Sequence, residues 1–363
     1  MKHWTQFLLL LVMFFCSLPA VAQESPLGTG LNLIDEPVDR QQELQRIFDR
    51  AAQTGQRVQL PAGIFRHSGF LYIRGIEVSG TGPDTIIEGT TRDHSAVILT
   101  GKGAKLSNVR MTYRSTTRSL DIRASEVLVE NADDFEVSNL MIDGGDCAGI
   151  LMSDSHRGIV RDNDIRSTLA DSIHMTNGSS DIVVHDNTTH FSGDDGVAVV
   201  SYERDGKKVH NIEAFHNTII DNKVARGMSV VGGDNVYYHD NFIKCTRQWA
   251  GIYIASEKVF KTYGSSNVKV QNNIVKDCGG VELGHGAVTI ASDYNENKHI
   301  LFEGNVLADS KATGFHVIGK GNADVSLKNN VIMRTKSNPI LVQDEVPPVE
   351  LSGNTVLGVT EQK

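Results

Sequence analysis

The stretch IVVHDN at residues 182–187 is a short alternating run of apolar residues that ends at an asparagine. The same arrangement returns as IVRDN at 159–163 and as VYYHDN at 236–241. Val, Ile and Tyr favour β-strands, whereas asparagine tolerates left-handed backbone torsions and offers an amide that bonds at a corner. The pattern therefore predicts one strand and one corner that recur along the chain.

Nine asparagines stand in this setting, at spacings of 24 to 32 residues. A recurrence in this range indicates a repeat architecture, here one coil of a β-solenoid per period with insertions in three coils. Stacked once per coil, the amides should form a structural ladder rather than bind a ligand. The asparagines are Asn139, Asn163, Asn187, Asn217, Asn241, Asn273, Asn305, Asn330 and Asn354.

A second strand follows each corner, as in Ser172-Ile173-His174-Met175 and Gly196-Val197-Ala198-Val199. Because side chains alternate along a strand, one residue of each strand should point into the solenoid and the next should point outward. We therefore predict an all-β parallel β-helix. The residues predicted to point inward are Ile150, Ile173, Val197, Met228, Ile252, Val288 and Phe315.

Helical spacing of apolar residues over about 39–53, with Gly55 beyond the end, predicts a helix that caps the first coil. Coils should then run from about 58 to 357, so residues 23–363 form a single domain. Residues 1–22 have a lysine, an apolar run and a small-residue cleavage site, which is typical of a secretory signal peptide. We expect an exported protein, periplasmic or extracellular, that does not insert into a membrane.

The chain carries a formal net charge of −9, which disfavours nucleic acid as a partner. Once Cys16 leaves with the signal, Cys147, Cys245 and Cys278 remain, so at most one disulfide can form within the chain. Their spacing does not indicate a zinc site. The oligomeric state is not readable from the sequence.

Aligning the second strands by their inward residues places Asp171, Asp195 and Arg226 in one column on successive coils, with Asp194 beside Asp195. Neighbouring strands lie about 4.8 Å apart, so the three carboxylates should not ionise together and one should keep a raised pKa. A proton donor beside a base is what cleavage of a glycosidic bond requires. Asp171, Asp194 and Asp195 are therefore the candidate catalytic residues.

The longer coils carry their extra residues near the same edge, at 202–208, 257–264 and 293–298. Insertions in a solenoid collect on one face, which is often the binding face. Aromatic rings and cations at that face suit a groove for a polysaccharide, including one that contains uronic acids. The candidate substrate-binding residues are His174, Tyr202, Arg226, Trp249, Tyr253 and Lys258.

Helix, coils and recurring asparagines together resemble the pectin-lyase-like superfamily of right-handed parallel β-helices, over roughly residues 30 to 357. Within it, Asp171-Ser172-Ile173-His174 and Gly193-Asp194-Asp195-Gly196 resemble the NTD and GDD motifs of polygalacturonases and related family 28 glycoside hydrolases. The resemblance implies inverting hydrolysis, with Asp194 as general acid and with Asp171 and Asp195 holding the attacking water.

The chain departs from that family around the carboxylates. Ala225-Arg226-Gly227 stands where the family has Gly-His-Gly, and Tyr253-Ile254-Ala255 replaces its Arg-x-Lys clamp. Leu169 and Ala170 precede the first aspartate in place of Asn and Thr. These departures count against pectin as the substrate and leave the three carboxylates intact.

Two further interpretations stay open at this point. A polysaccharide lyase or uronate epimerase would use His174, Arg226, Tyr253 or a loop lysine, with calcium on Asp194 and Asp195. The hydrolase interpretation needs no cofactor. The alternative roles of Asp171, Asp194 and Asp195 are acidic turn residues or a calcium site. A third interpretation is a carbohydrate-binding solenoid without activity, since a fold does not dictate function.

Overall fold

The computed structural model describes residues 38–245, 249–282 and 284–358. The predicted signal peptide at 1–22 lies outside these residues. In the part of the chain that the structure describes, no helix is both long and apolar enough to cross a membrane.

The architecture is the right-handed parallel β-helix predicted from the sequence, built of three rows of parallel strands. In each coil, one strand begins after the loop that comes behind the asparagine corner. We call the row formed by these strands the site row. Its strands are Leu71–Arg74, Val97–Lys102, Val127–Asp133, Ile150–Ser153, Ile173–Thr176, Val197–Val200, Met228–Val231, Ile252–Ser256, Val288–Ser292, Phe315–Ile318 and Ile340–Val342.

The second row follows the site row in each coil. Its strands are Val58–Gln59, Glu77–Ser79, Lys105–Ser107, Glu136–Ser138, His156–Arg161, Ser180–His185, His210–Phe215, Asp234–His239, Ser266–Gln271, Asn297–Glu303, Asn322–Lys328 and Glu350–Ser352.

The third row lies beyond the asparagine corner. Its strands are Gly63–His67, Thr85–Gly89, Arg110–Tyr113, Met141–Gly144, Asp164–Arg166, Thr188–His190, Thr218–Ile220, Phe242–Lys244, Ile274–Lys276, Val306–Ala308, Val331–Met333 and Thr355–Leu357.

The predicted register of the site row is confirmed. Ile173 pairs with Val197, Val197 with Met228, and Met228 with Ile252, and all of these side chains are fully buried inside the solenoid. The predicted capping helix is also present, as Gln41–Thr54, and it closes the first coil with buried Leu44 and Phe48. It ends at Gly55, which takes the left-handed conformation at φ 69° that a glycine accepts without strain.

The asparagine ladder is confirmed, with one correction to its start. Asn163 Nδ2 donates to Asn187 Oδ1 at 2.8 Å, and the same bond recurs through the later coils to Asn354. Before Asn163 the ladder position is Leu140, whose N–H donates to Asn163 Oδ1 at 2.9 Å. Asn139 is therefore one residue out of register.

The left-handed torsion predicted for the ladder asparagine belongs instead to the residue before it. Asp162, Asp186 and Asp240 have φ of 57°, 54° and 53°. Asn139, at φ 53°, occupies this preceding position, which explains why it matched the sequence pattern without joining the ladder. At each corner, one residue takes the left-handed torsion and the next residue makes the ladder hydrogen bonds.

Asn241→Ala should lower the free energy of unfolding by about 3 kcal/mol, because buried donors and acceptors lose their partners. Asn241 Oδ1 accepts from the N–H of Asn217 at 2.9 Å, and its amide donates to the carbonyl of Ala214 at 2.9 Å. Urea unfolding measures the change. Gln53→Ala, which removes an exposed amide from the capping helix, is the matched control, and equal losses in the two variants would contradict a ladder that stabilises the fold.

Candidate active site

A cavity of about 610 Å³ lies over the outer face of the site row, at the strands that begin with Ile173 and Val197. The 118–122 segment forms one wall, and the 202–205 and 257–260 segments form another. The insertion at 293–298 supports this second wall, since Asn295 Nδ2 donates to Glu203 Oε1 at 2.9 Å. The lining includes Arg118, Leu120, Cys147, Asp171, His174, Asp194, Asp195, Tyr202, Arg204, Asp205, Arg226, Glu257 and Phe260.

The three predicted catalytic carboxylates meet in this cavity. One oxygen each of Asp171, Asp194 and Asp195 lies within 4.8 Å of the others. The strand register causes the meeting, because Asp171 and Asp195 each stand two residues before paired residues of adjacent strands. Asp194 follows from its position beside Asp195.

Asp171 and Asp195 are both buried and held by hydrogen bonds on each oxygen. Asp171 accepts from the backbone N–H of Asp195 at 2.7 Å and contacts His174 Nδ1 at 2.7 Å. Asp195 accepts from the N–H of Arg226 at 2.8 Å and from the Ser229 hydroxyl at 2.5 Å. Donors on both oxygens fix the orientation of each carboxylate. Burial raises the pKa of Asp195, against the charge of Arg226, which lowers it.

Asp194 is the most exposed of the three carboxylates, with 24% of its side chain accessible. Burial raises its pKa, and the neighbouring charge of Asp195 raises it further. Arg118 opposes this change through an ion pair of 2.6 Å between its guanidinium and Asp194 Oδ2. The pKa of Asp194 therefore depends on Arg118, which extends into the cavity from the 118–122 wall.

Arg226 is held from three sides and belongs to the wall behind the carboxylates. Its Nε lies 3.6 Å from Asp195 Oδ1, its guanidinium donates to Glu257 Oε1 at 3.0 Å, and it stacks over the ring of Tyr253 at 4.3 Å. Its charge is balanced by Asp195 and Glu257. Burial raises the pKa of Tyr253, and the charge of Glu257 raises it further.

Three predicted substrate-binding residues, Trp249, Lys258 and Tyr253, are not part of the described lining of this cavity. Trp249 lies outside the lining. Its ring is edge-on to that of His285, with the ring centroids 5.1 Å apart, and His285 in turn stacks on Tyr253. Lys258 is on the 257–264 insertion but outside the lining, with its backbone N–H 3.3 Å from Asp293 Oδ2. His174, Tyr202 and Arg226 line the cavity as the sequence predicted, and Tyr253 supports Arg226 from behind.

Arg118 and Glu257 are residues of the cavity that the sequence did not single out. Arg118 lies in an irregular segment before the short 3₁₀ helix Ile122–Ala124, outside the repeating strands. Glu257 follows the strand Ile252–Ser256 directly, at the start of an insertion that the pattern did locate. For Glu257, its place at the start of the predicted 257–264 insertion was a weak signal, whereas nothing local marks Arg118.

The described residues contain one disulfide, which is the most that the cysteine count allowed. Cys245 and Cys278 are bonded, which joins two neighbouring coils at the turn before the site row. Cys147 is a buried free thiol at the edge of the cavity.

The triad offers carboxylate oxygens of the kind that calcium takes. Within the described residues, however, Asp194 is already paired with Arg118 and Asp195 with Arg226. These two arginines offset negative charge on the three aspartates. Less negative charge is therefore left to attract a divalent ion than the sequence alone indicated.

The comparisons with known proteins bear on the fold. The profile of the family described as "Right handed beta helix region" matches residues 74–243. No curated protein matches the chain. Many solved structures do, and the matches include glycoside hydrolase and epimerase domains.

The Agl-KA catalytic domain superposes with a TM-score of 0.79 at 18% identity, covering 90% of this chain and 64% of that one. The catalytic unit of the GH87 α-1,3-glucanase from Streptomyces thermodiastaticus gives 0.75 at 18% identity, covering 89% and 62%. The A-module of the mannuronan C-5 epimerase AlgE6 from Azotobacter vinelandii gives 0.65 at 15%, covering 88% and 95%. The chain thus spans less than two thirds of the Agl-KA domain and of the glucanase unit, and the likenesses establish the right-handed β-helix.

Proposed function

We propose that this protein is a glycoside hydrolase that cuts a polysaccharide in the cavity, with Asp194 as general acid and with Asp171 and Asp195 holding the attacking water. The observation that carries the proposal is the unequal setting of three adjacent carboxylates. Asp171 and Asp195 are buried and accept hydrogen bonds on both oxygens, whereas Asp194 is more exposed and pairs with Arg118. Burial raises the pKa of Asp194 and of Asp195, so these neighbours should not ionise together. Carboxyl groups driven to different protonation states are the arrangement that this chemistry uses.

The spacing of the aspartates gives independent support. Solved complexes of a GH87 α-1,3-glucanase with nigerose or tetrasaccharides include three aspartate-to-alanine variants, two at consecutive positions and one 23 residues before the first of that pair. Asp171 and the consecutive pair Asp194 and Asp195 have the same spacing. These glucanase variants were solved with sugar bound, which agrees with a role for the three aspartates at a sugar site here.

The charges of the cavity favour a neutral sugar over a uronic acid. The three arginines of the described lining, Arg118, Arg204 and Arg226, are each paired with a carboxylate. Lys258 lies outside the lining. A uronate carboxylate would therefore meet acidic side chains without a free cation among the described lining residues, which costs free energy. We infer a neutral, glucan-like polysaccharide as the substrate, in place of the uronic acid polymer that polygalacturonases cut.

The epimerase neighbour makes a uronate lyase or epimerase the second candidate. That chemistry removes a proton beside a carboxylate and needs a base and a cation. Burial and Glu257 raise the pKa of Tyr253, which makes it a poor base, and Arg226 is held by Asp195 and Glu257. The site therefore supports hydrolysis better than proton abstraction.

The proposal includes export. Residues 1–22 are the sequence support for it, since they have the features of a secretory signal peptide.

The test of substrate class incubates the protein with matched panels of neutral glucans and uronic acid polymers and measures new reducing ends. We expect release from a neutral glucan. Release from the uronic acid polymers alone would contradict the proposed substrate class.

Arg118→Gln should move the alkaline limb of the kcat/KM profile to higher pH. Arg118 lowers the pKa of Asp194, so its removal lets burial and Asp195 raise that pKa further. A general acid acts only while it is protonated, and the alkaline limb follows its pKa. Arg204→Gln, which removes a cation from the same cavity without an ion pair to Asp194, is the matched control, and an equal shift in both variants would count against the assignment.

A further inference from the structure

Two carboxylates outside the proposed active site are buried without partners. Glu126 is 1% exposed and Asp146 is 0% exposed. Both oxygens of Asp146 and Oε1 of Glu126 are inaccessible and have no hydrogen-bond partner among the described residues. An unpaired buried carboxylate costs several kcal/mol, so such groups are nearly always paired or bound to a metal ion.

The backbone brings the two carboxylates together. Glu126 precedes the site-row strand Val127–Asp133, and Asp146 lies in the turn between Met141–Gly144 and Ile150–Ser153. A Cβ on Gly145 would lie 3.4 Å from Glu126 Oε1, so the glycine before Asp146 leaves room for that oxygen. The turn at 144–146 therefore packs its backbone against Glu126, and Asp146 follows the contacting glycine directly.

The electrostatics agree with this placement. Burial raises the pKa of Glu126 to about 8, and the charges of Asp146 and Asp143 contribute. Burial likewise raises the pKa of Tyr113, and Asp146, Asp93 and Glu126 raise it further against the charge of Arg92. These acidic groups thus face one region beside the Tyr113 hydroxyl.

Neighbouring acidic groups find cations, which makes this pair unusual. Asp143 contacts Arg110 at 3.4 Å and Arg114 at 3.3 Å. No such ion pair reaches Glu126 or Asp146 in the described part of the chain. The positive charge that neutralises the pair therefore comes from a proton or from a bound cation.

We propose that Glu126 and Asp146 bind a divalent cation, with calcium as the ion whose oxygen preference and flexible geometry they suit. Carboxylate oxygens, backbone carbonyls and water are the ligands that calcium takes in proteins. The ion would neutralise the two carboxylates and fix the 144–146 turn. That turn also supports the cavity wall, because the Asp146 carbonyl accepts from the N–H of Ser119, next to Arg118, at 2.8 Å.

The test compares the melting temperature of the calcium-free full chain with and without added calcium chloride. Saturation at about a hundred times Kd should raise the melting temperature by about 5 °C. Glu126→Gln and Asp146→Asn should lose this shift. Without calcium they should melt at or above the wild-type temperature, because a neutral amide removes the repulsion between buried carboxylates. Asp194→Asn is the matched acid-to-amide control and should keep the full shift.

Three results would overturn the proposal: a wild type that does not respond to calcium, a shift that persists in Glu126→Gln and Asp146→Asn, or a shift lost only in Asp194→Asn. If the two variants fail to fold, terbium bound to the wild-type chain decides instead. Tyr113→Phe should reduce the terbium emission that Tyr113 sensitises while the calcium shift remains, and unchanged emission would contradict this location.

Discussion

Asp194→Asn is expected to reduce kcat by about ten-thousand-fold on the neutral polysaccharide while leaving the fold unchanged. The amide keeps the size of the side chain but cannot give a proton to the leaving sugar oxygen. Its position at the cavity, with 24% of the side chain accessible, makes a large loss of stability unexpected. Initial rates and a thermal unfolding curve of the same preparation separate the two effects.

Asp205→Asn is the matched control for that experiment. Asp205 also lines the cavity, and burial also raises its pKa, yet it lies outside the triad. We expect Asp205→Asn to change the rate by less than about tenfold, as for a carboxylate that does not transfer a proton. Full activity in Asp194→Asn, or an equal loss in Asp205→Asn, would refute the assignment of the general acid.

Arg226→Met should cost about 3 to 5 kcal/mol of the free energy of unfolding at neutral pH. The substitution keeps an unbranched side chain over Tyr253 but leaves Asp195 and Glu257 buried without their shared cation. Urea unfolding measures the loss. Arg204→Met is the control, because the Arg204 side chain is 72% accessible and stacks on Tyr202, and it should cost less than about 1 kcal/mol.

The pH dependence of the Arg226→Met loss has a defined sign. Arg226 lowers the pKa of both Asp195 and Glu257 in the folded protein, against the burial that raises them. In its absence these pKa values rise further above their unfolded values, so the variant is penalised as pH rises through the unfolded values and recovers as pH falls. A loss that stays constant between neutral and acidic pH would show that packing, and not charge, causes the destabilisation.

The sequence predicted the parts of the molecule that the repeat controls. The positions of Ile173, Val197 and Met228 follow from strand register, because parallel hydrogen bonding fixes how each coil stacks on the last. The same register brought Asp171 and Asp195 together and placed Arg226 next to them. Within the coils, a column in the sequence is a column in space.

Outside the repeat, the sequence pattern lost its predictive value. Arg118 reaches Asp194 from an irregular segment, and its position depends on packing between distant parts of the chain. Trp249 and Lys258 stand at the expected edge, but neighbouring side chains decide which residues face the cavity, and these two do not. Asn139 matched by residue type although hydrogen bonding gives the ladder position to Leu140.

The proposed calcium site shows the same limit. Glu126 and Asp146 are separated by three strands and the turns that join them, and nothing in their spacing resembles a known calcium loop. Only the packed structure shows that both are buried and that neither has a cation.

The central claim, that the three aspartates add water across a glycosidic bond, is tested most directly by the mass of the products formed in heavy-oxygen water. We expect the wild type to release oligosaccharides that each carry one heavy oxygen at the new reducing end, and Asp194→Asn to release almost none. Products lighter by one water, without heavy oxygen, would establish a lyase. A polymer that binds the cavity but stays uncut and unlabelled would contradict catalysis by hydrolysis altogether.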